Sequence, residues 1–210
     1  MNYLVSVLTG YILGSIPTAY LLVKLRHGTD LRNEGSKNVG MLNSYKVSKS
    51  KLIAAAVLLI DIVKGVLAVY LVKLLYGEVF IYPMIALVSA VAGHCFSVWI
   101  KFKGGRGLAA AAGGALVLAP AVLIIWLFLW IVSYVFRKNV HFSNISATIL
   151  TAAVSAVNAD ILNKYAFPPA EDPLIFGAGV CIMLAIIMIR HYEPLMAWIN
   201  LQKKSKRQET

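Results

Sequence analysis

The segment LAAAAGGALVLAPAVLIIWLFLWIVSYVF, residues 108–136, decides how often this chain crosses a membrane. It is about 29 residues long, whereas one spanning helix needs about 20. It also contains Gly113, Gly114 and Pro120. A proline inside a helix removes a backbone donor and clashes with the preceding turn. The segment therefore predicts either one long kinked helix or two short helices joined near Pro120.

The rest of the chain is also too apolar for a soluble domain. Of its 210 residues, 60% are hydrophobic and only 14% are charged. Further apolar segments, most of them near the length of a spanning helix, cover residues 3–25, 52–76, 81–100, 145–165 and 174–189. The composition predicts an all-α integral membrane protein, with one domain over residues 1–210 and a basic tail at about 200–210.

The distribution of charge indicates whether residues 108–136 cross the membrane once or twice. The formal net charge is +11, but the cations lie in short segments between apolar runs, which orients a membrane protein and argues against a nucleic-acid partner. If residues 108–136 cross twice, every basic cluster falls on the cytoplasmic face. The other face then receives Glu78, Asp160, Lys164, Glu171 and Asp172. We therefore predict a bundle of about seven membrane helices, two of them short, with the N-terminus outside and the C-terminus in the cytoplasm.

The two crossings predicted for residues 108–136 would be short. Helices of about 14 residues reach only about 21 Å, against a hydrocarbon core of about 30 Å. Short or re-entrant helices are tolerated where protein buries them or where they line a cavity.

Two polar loops on the predicted cytoplasmic face are rich in glycine and cations. KFKGGRG, residues 101–107, directly precedes an apolar helix, and GSKNVG, residues 35–40, lies within a longer polar loop. Glycine lets backbone approach a ligand closely, while amides at a helix start and Lys or Arg side chains attract anions. The loops predict a site for a phosphorylated small molecule at the lipid interface. The alternative is that they are solvated connections whose cations hold anionic lipid headgroups.

One ionisable pair lies inside an apolar segment. Asp61 and Lys64 are three residues apart and share a helix face. Because charges are costly inside a membrane, the pair should face the bundle and be mutually neutralised, as a packing element or a support beneath the site. A proton relay is the alternative. Cys95 and Cys181 show neither paired spacing nor a nearby cluster of ligands, so no disulfide or metal site is predicted.

The order of five short motifs resembles that of a known family. The motifs are GSIP (14–17), GTDLRNEGSKNVGMLN (28–43), GHCF (93–96), FKGGRG (102–107) and RHYE (190–193). They resemble the PlsY family of bacterial membrane acyltransferases, over residues 10 to about 193. The resemblance implies transfer of a fatty acyl group from acyl phosphate to the 1-hydroxyl of glycerol 3-phosphate, giving lysophosphatidic acid, the first step of phospholipid synthesis. It further implies a site on the cytoplasmic face, no metal or other cofactor, and location in the bacterial inner membrane. The implied partners are the two substrates, the lipid bilayer and the enzyme that forms acyl phosphate.

The resemblance, taken with the chemistry of phosphate binding, also implies roles for individual residues. Positioning and charge neutralisation can carry most of the rate for an activated mixed anhydride such as acyl phosphate. The residues with catalytic roles are Ser36, His191 and Arg106. The residues that bind substrate are Asn38, Gly40, Asn43, Lys46, His94, Lys103, Gly104, Gly105 and Asn144, the last in the loop before the sixth segment. In this scheme the loop around Ser36 binds acyl phosphate, the loop of Arg106 holds a phosphate through charge and nest amides, and Lys46 and His191 hold glycerol phosphate. Asn43 and His94 order this shell by hydrogen bonds.

Several positions depart from the usual family pattern. Lys37 stands where the family usually has glycine, and Met41 stands in place of alanine. Lys46 and Arg106 exchange the usual arginine and lysine, and Pro194 replaces an asparagine. Of these changes, Lys37 and Pro194 favour the alternative function, a non-catalytic paralog that binds or transports a phospholipid or another phosphate lipid.

Overall fold

The computed structural model describes residues 1–77, 79–196 and 200, and these residues form helices and connecting loops with no strand. The α-helices are α1 Asn2–Ser15, α2 Thr18–His27, α3 Met41–Ser48, α4 Lys51–Tyr76, α5 Ile81–Cys95, α6 Leu108–Leu118, α7 Pro120–Arg137, α8 Val140–Val157, α9 Ala159–Asn163 and α10 Pro173–Ile189, with a 3₁₀ turn at Val98–Ile100. The predicted all-α class is confirmed. Glu78 and, apart from Asn200, the predicted basic tail lie outside the described residues.

Five helical stretches in the described part of the chain are long and apolar enough to cross a membrane. They are Asn2–His27, Lys51–Tyr76, Ile81–Ile100, Pro120–Arg137 and Val140–Val157. Leu108–Leu118 and Pro173–Ile189 are apolar but shorter. The membrane class is confirmed, and the count of seven crossings stays a prediction.

The predicted break near Pro120 is present. Helix α6 ends at Leu118 and α7 begins at Pro120, and the freed carbonyl of Leu118 accepts a hydrogen bond from the Phe167 amide at 2.8 Å. Arg106, just before α6, contacts His141, just after α7, at 3.2 Å. Because the residues that precede α6 and follow α7 touch, the chain reverses at the break and the two helices form a hairpin.

The two halves of this hairpin are unequal. Helix α6 has 11 residues, or about 17 Å, and α7 has 18, in place of the two equal helices expected. The proline alone sets the break, because the glycine pair sits inside α6. A Cβ on Gly113 would overlap the carbonyl oxygen of Ile62, so this glycine brings α6 close to α4.

Two other boundaries differ from the sequence prediction. The first apolar segment is broken at Ile16 and Pro17, because Pro17 has no amide to continue the α1 ladder. Helix α8 begins at Val140 because the side chain of Asn139 accepts a hydrogen bond from the Phe142 amide at 3.0 Å and caps it. Asn144 therefore lies inside a helix, and its predicted position in a loop is wrong.

The helices run between two ends of the molecule. One end, called here the site face, carries Gly104, Arg106, His141 and Arg190, which contact one another through side chains and backbone. The opposite face carries the hairpin turn and the Phe167 loop, whose carbonyl accepts a hydrogen bond from Lys73 at 3.0 Å. Helix α6 runs from the site face to the hairpin turn, and α7 runs back to the site face.

Cysteine labelling tests whether these passes are membrane crossings. In a background with Cys95 and Cys181 replaced by alanine, a membrane-impermeant thiol reagent should label Glu171→Cys in intact cells, because this exposed residue lies at the opposite face. The exposed positions Lys51→Cys and Lys138→Cys should react only after permeabilisation. Labelling of Lys138→Cys in intact cells would contradict the double crossing of residues 108–136.

Candidate active site

The loop between α5 and α6 rests directly on the end of α5. The amides of Gly104 and Gly105 donate to the carbonyl oxygens of Cys95 at 3.2 Å and His94 at 3.0 Å. A Cβ on Gly104 would overlap the His94 carbonyl, and one on Gly105 would overlap the His94 ring, so both positions require glycine. These two amides are already satisfied, and the prediction that they form an anion-binding nest is wrong. An anion at this loop would instead have to be bound by Arg106 and by the amides of the first turn of α6.

Arg190 holds the same loop from the other side. Its Nη2 donates to the Gly104 carbonyl at 2.9 Å, and its Nε donates to the Gly105 carbonyl at 3.1 Å. The sequence motif after α10 is thereby joined to the glycine-rich loop 85 residues earlier. Arg190 was not among the predicted site residues, since the motif suggested only its neighbour His191.

Arg106 extends from this loop to His141. Its Nη1 donates to His141 Nδ1 at 3.2 Å, and because a guanidinium only donates, the imidazole is neutral and carries its proton on Nε2. Burial lowers the pKa of the Arg106 guanidinium, which nevertheless stays charged. Lys46 lies within electrostatic reach of His141, and Arg106 within reach of His191. The structure thus brings the predicted residues Lys46, Arg106 and His191 near His141, with positive charge from Lys46 and Arg106.

His141 itself was missed in the sequence. The available signal was its position on the predicted cytoplasmic face, three residues after Lys138.

The loop around Ser36 is shaped by Asn43. The Asn43 Oδ1 accepts from the Ser36 amide at 2.8 Å, and Nδ2 donates to the carbonyls of Leu31 at 3.3 Å and Glu34 at 3.0 Å. Since the buried Asn43 amide is committed to these bonds, it orders the loop and leaves Ser36 exposed. This geometry agrees with the predicted ordering role, whereas direct contact of Asn43 with substrate is not supported.

The two glycine-rich loops meet. A Cβ on Gly105 would lie 2.8 Å from the carbonyl oxygen of Val39, between the predicted ligands Asn38 and Gly40. Gly40 precedes α3, and the half-buried Asn38 side chain lies beside it. Lys37 has φ 58°, a left-handed conformation that glycine adopts most readily, at a cost of about 1 kcal/mol for other residues. Its exposed ammonium adds a charge next to Ser36.

Beneath the loops lies a buried polar group. Lys64 Nζ is 2.8 Å from Asp61 Oδ1, and His94 Nδ1 is 3.6 Å from the same oxygen. Lys64 also donates to the Ile16 carbonyl at 3.2 Å, where Pro17 interrupts α1. The predicted inward-facing pair is confirmed. The pair links the break at Pro17, through Lys64, to His94, through Asp61. Because the His94 ring also lies against Gly105, His94 supports the glycine-rich loop from below.

The remaining predicted residues occupy different environments. His191 is wholly buried and its Nδ1 donates to the Ile187 carbonyl at 2.8 Å, which leaves Nε2 as an acceptor without a partner among the described residues. Lys46 and Lys103 are exposed. Asn144 accepts from Trp130 Nε1 at 2.7 Å and is tied to α7. Its contact with a substrate stays a prediction.

Burial lowers the pKa of His191 from its ordinary value of 6.5 to about 4. Between these values the unfolded chain binds a proton that the folded protein does not, so stability rises with pH and is lost on acidification from about 6.5 towards 4. The melting temperature of His191→Gln should therefore fall less than that of the wild type over this range. His27→Gln, at an exposed histidine, is the matched control and should follow the wild type. If the melting temperatures of wild type and His191→Gln fall equally with pH, the lowered pKa of His191 is contradicted.

An apolar groove begins close to Arg106. It is an open groove between α6, α7 and α10 and starts at Leu108, two residues after Arg106. Ile187, whose carbonyl binds His191, also lines it. Its other lining residues are Ala111, Ala112, Ala115, Val122, Leu123, Trp126, Met183 and Leu184. The groove offers a hydrocarbon chain an apolar surface next to the positive charge of Arg106.

Comparison with known proteins identifies relatives of this chain that are membrane acyltransferases. Residues 4–200 match the sequence profile of the family described as glycerol-3-phosphate acyltransferase. The glycerol-3-phosphate acyltransferase of Anaplasma phagocytophilum (strain HZ) is 37% identical over 203 residues, which cover 95% of this chain and 97% of that protein. That of Streptococcus equi subsp. equi (strain 4047) is 35% identical over 221 residues, covering 97% of each. The crystal structure of PlsY (YgiH), an integral membrane glycerol 3-phosphate acyltransferase in its glycerol 3-phosphate form, superimposes with a TM-score of 0.77 at 26% identity, covering 95% of this chain and 93% of that one.

Proposed function

This chain belongs to the glycerol-3-phosphate acyltransferase family of integral membrane enzymes, and we propose that it transfers a fatty acyl group from acyl phosphate to the 1-hydroxyl of glycerol 3-phosphate. The product is lysophosphatidic acid. The observation that carries the proposal is the grouping of two cations, Lys46 and Arg106, with the neutral His191 at the start of the apolar groove. A substrate pair with phosphate groups and one hydrocarbon chain needs both positive charge for the phosphates and an apolar surface for the chain.

The grouping of Lys46, Arg106 and His191 suits the phosphate of the acceptor. Arg106 and Lys46 supply positive charge, and a guanidinium can bind two phosphate oxygens at once. His191 is neutral at pH 7 because its pKa is about 4, and its buried Nε2 can accept a hydrogen bond from a hydroxyl. These three residues would therefore hold glycerol 3-phosphate by both of its polar ends.

The donor would lie across the junction of the two loops. Its acyl chain would occupy the groove that starts at Leu108, and its phosphate would meet Ser36 and the backbone around Asn38 and Gly40. Support for this placement comes from the contact of Val39 with Gly105, which brings the Ser36 loop to the Arg106 loop. Lys37 and Lys103, both exposed, add charge on either side.

The reaction needs little covalent chemistry from the protein. The acceptor hydroxyl oxygen attacks the acyl carbonyl carbon, the new C–O ester bond forms, and the C–O bond to phosphate breaks, so that inorganic phosphate leaves. The hydroxyl proton passes to a phosphate oxygen. Because the mixed anhydride is already activated, positioning of the two anions and neutralisation of their charge supply most of the acceleration. In this scheme Ser36, Arg106 and His191 contact the reacting molecules.

The proposal extends to the setting of the protein. The chain would form a single domain in the bacterial cytoplasmic membrane, with the site face towards the cytoplasm, where glycerol 3-phosphate is dissolved. The concentration of cations at this face supports that orientation. The enzyme that makes acyl phosphate is the expected partner, because a reactive lipid anhydride is best used where it is formed.

An assay of the purified full-length protein tests the function. Palmitoyl phosphate and radiolabelled glycerol 3-phosphate should give labelled lysophosphatidic acid, and palmitoyl-CoA should give none. The proposal fails if no product forms under conditions in which a relative is active. Binding of glycerol 3-phosphate without product would instead favour the non-catalytic paralog.

A further inference from the structure

The backbone of the Arg106 loop is held firmly, but the Arg106 side chain is long. Gly104 and Gly105 are bound by α5 on one side and by Arg190 on the other. Beyond this backbone, the Arg106 side chain has several rotatable bonds. Its one hydrogen bond with a described residue is the 3.2 Å contact with His141. The direction in which the guanidinium presents its donors is therefore set by the imidazole.

His141 is itself placed by a rigid helix start. It lies in the first turn of α8, which the side chain of Asn139 caps through the Phe142 amide. The Ser143 hydroxyl also donates to the Asn139 carbonyl at 2.9 Å. A side chain held by a capped helix end can fix its partner more closely than one on a free loop.

A neutral acceptor has an advantage over a carboxylate at this position. An aspartate or glutamate would also orient Arg106, but it would neutralise the charge that the phosphate needs. The charged groups that face His141 are Arg106 from the loop and Lys46 from α3, with His191 near from the end of α10. Glu193 is the described acidic residue whose charge reaches Arg106. The charged groups around His141 are thus mainly cationic, and the hydrogen bond that it accepts from Arg106 requires its neutral form.

We propose that His141 is a positioning residue, which holds the Arg106 guanidinium so that its remaining donors face the phosphate of glycerol 3-phosphate. The inference rests on the proposed function, because it takes that phosphate as the ligand of Arg106. His141 acts through Arg106 and needs no contact with substrate.

A double-mutant cycle in the full-length protein tests the proposal. His141→Ala should lower kcat/KM for glycerol 3-phosphate about tenfold, the effect of one lost orienting hydrogen bond, mainly through a higher KM for glycerol 3-phosphate. The KM of the same variant for acyl phosphate should stay within about twofold of the wild-type value. His141→Asn, whose Oδ1 can replace Nδ1 as acceptor, should recover most of the loss. In an Arg106→Lys background, His141→Ala should change kcat/KM by less than about twofold, because a lysine ammonium has no plane to orient.

The controls separate this proposal from the proposed function. His27→Ala, at an exposed histidine of the same face, should behave as the wild type, and His141→Leu replaces the alanine variant if the latter does not fold. A His141→Ala enzyme within twofold of wild type, or an equal loss in both backgrounds, would overturn the proposal. If the wild type makes no product, the proposed function fails. The positioning role of His141 is then tested by calorimetric measurement of the affinity for glycerol 3-phosphate. Equal affinity of wild type and His141→Ala would then overturn the positioning role, and about tenfold weaker binding would support it.

Discussion

Replacing Arg106 by alanine is expected to lower kcat/KM by about 10²- to 10³-fold, or roughly 3–4 kcal/mol of transition-state stabilisation. The side chain is half-buried between the glycine-rich loop and α8, where a charge is screened less than in water. It also lies just before α6, whose first amides add positive potential. Removing the guanidinium therefore removes the main fixed cation of the anion site. Initial rates with varied glycerol 3-phosphate measure the loss.

Two further variants sharpen this test. Arg106→Lys keeps the charge but loses the planar fork and the fixed contact with His141, so its activity should lie between wild type and Arg106→Ala. Arg26→Ala removes an exposed arginine from α2 and should leave the kinetics unchanged. Full turnover in both Arg106 variants would show that this loop is not the phosphate site.

Asp61→Ala is expected to have the largest effect on stability, about 3–5 kcal/mol. Asp61 and Lys64 are both almost completely buried, and their charged atoms are 2.8 Å apart. Without Asp61 the ammonium of Lys64 would remain in the helix bundle with no opposite charge against it, which is far more costly than losing the contact itself. The fall in melting temperature of the detergent-solubilised protein measures the effect.

The double variant Asp61→Leu/Lys64→Met distinguishes an uncompensated charge from lost packing. Replacing both partners by apolar residues of similar volume should be much less destabilising than Asp61→Ala alone. A residual cost of about 1 kcal/mol or less is expected, because the Ile16 carbonyl loses the Lys64 donor but keeps the Thr18 amide. If Asp61→Ala is as stable as the wild type, the pair does not hold a buried charge. Reduced activity in a stable double variant would show that the pair supports His94 and the loop above it.

Much of the fold and part of the site followed from the sequence because they depend on short stretches of chain. Long apolar segments predict membrane helices because transfer of apolar surface from water is favourable wherever the segment lies. The break at Pro120 follows from a missing amide, and the inward position of Asp61 and Lys64 follows from their spacing on one helix and the cost of exposing charge to lipid. The two glycine-rich loops could be predicted as an anion site for the same reason, since composition and charge are local.

The tertiary structure decided which of these groups are available and which partners they have. The amides of Gly104 and Gly105 donate to carbonyls at the end of α5, so the proposed anion binding depends on Arg106. The partner of Arg106 is 35 residues away in His141, and Arg190 reaches back 85 residues to Gly105. Such contacts depend on which helices are neighbours. That choice is made by close packing at small residues, as where Gly10 of α1 meets Ala86 of α5, and no short stretch of sequence specifies it.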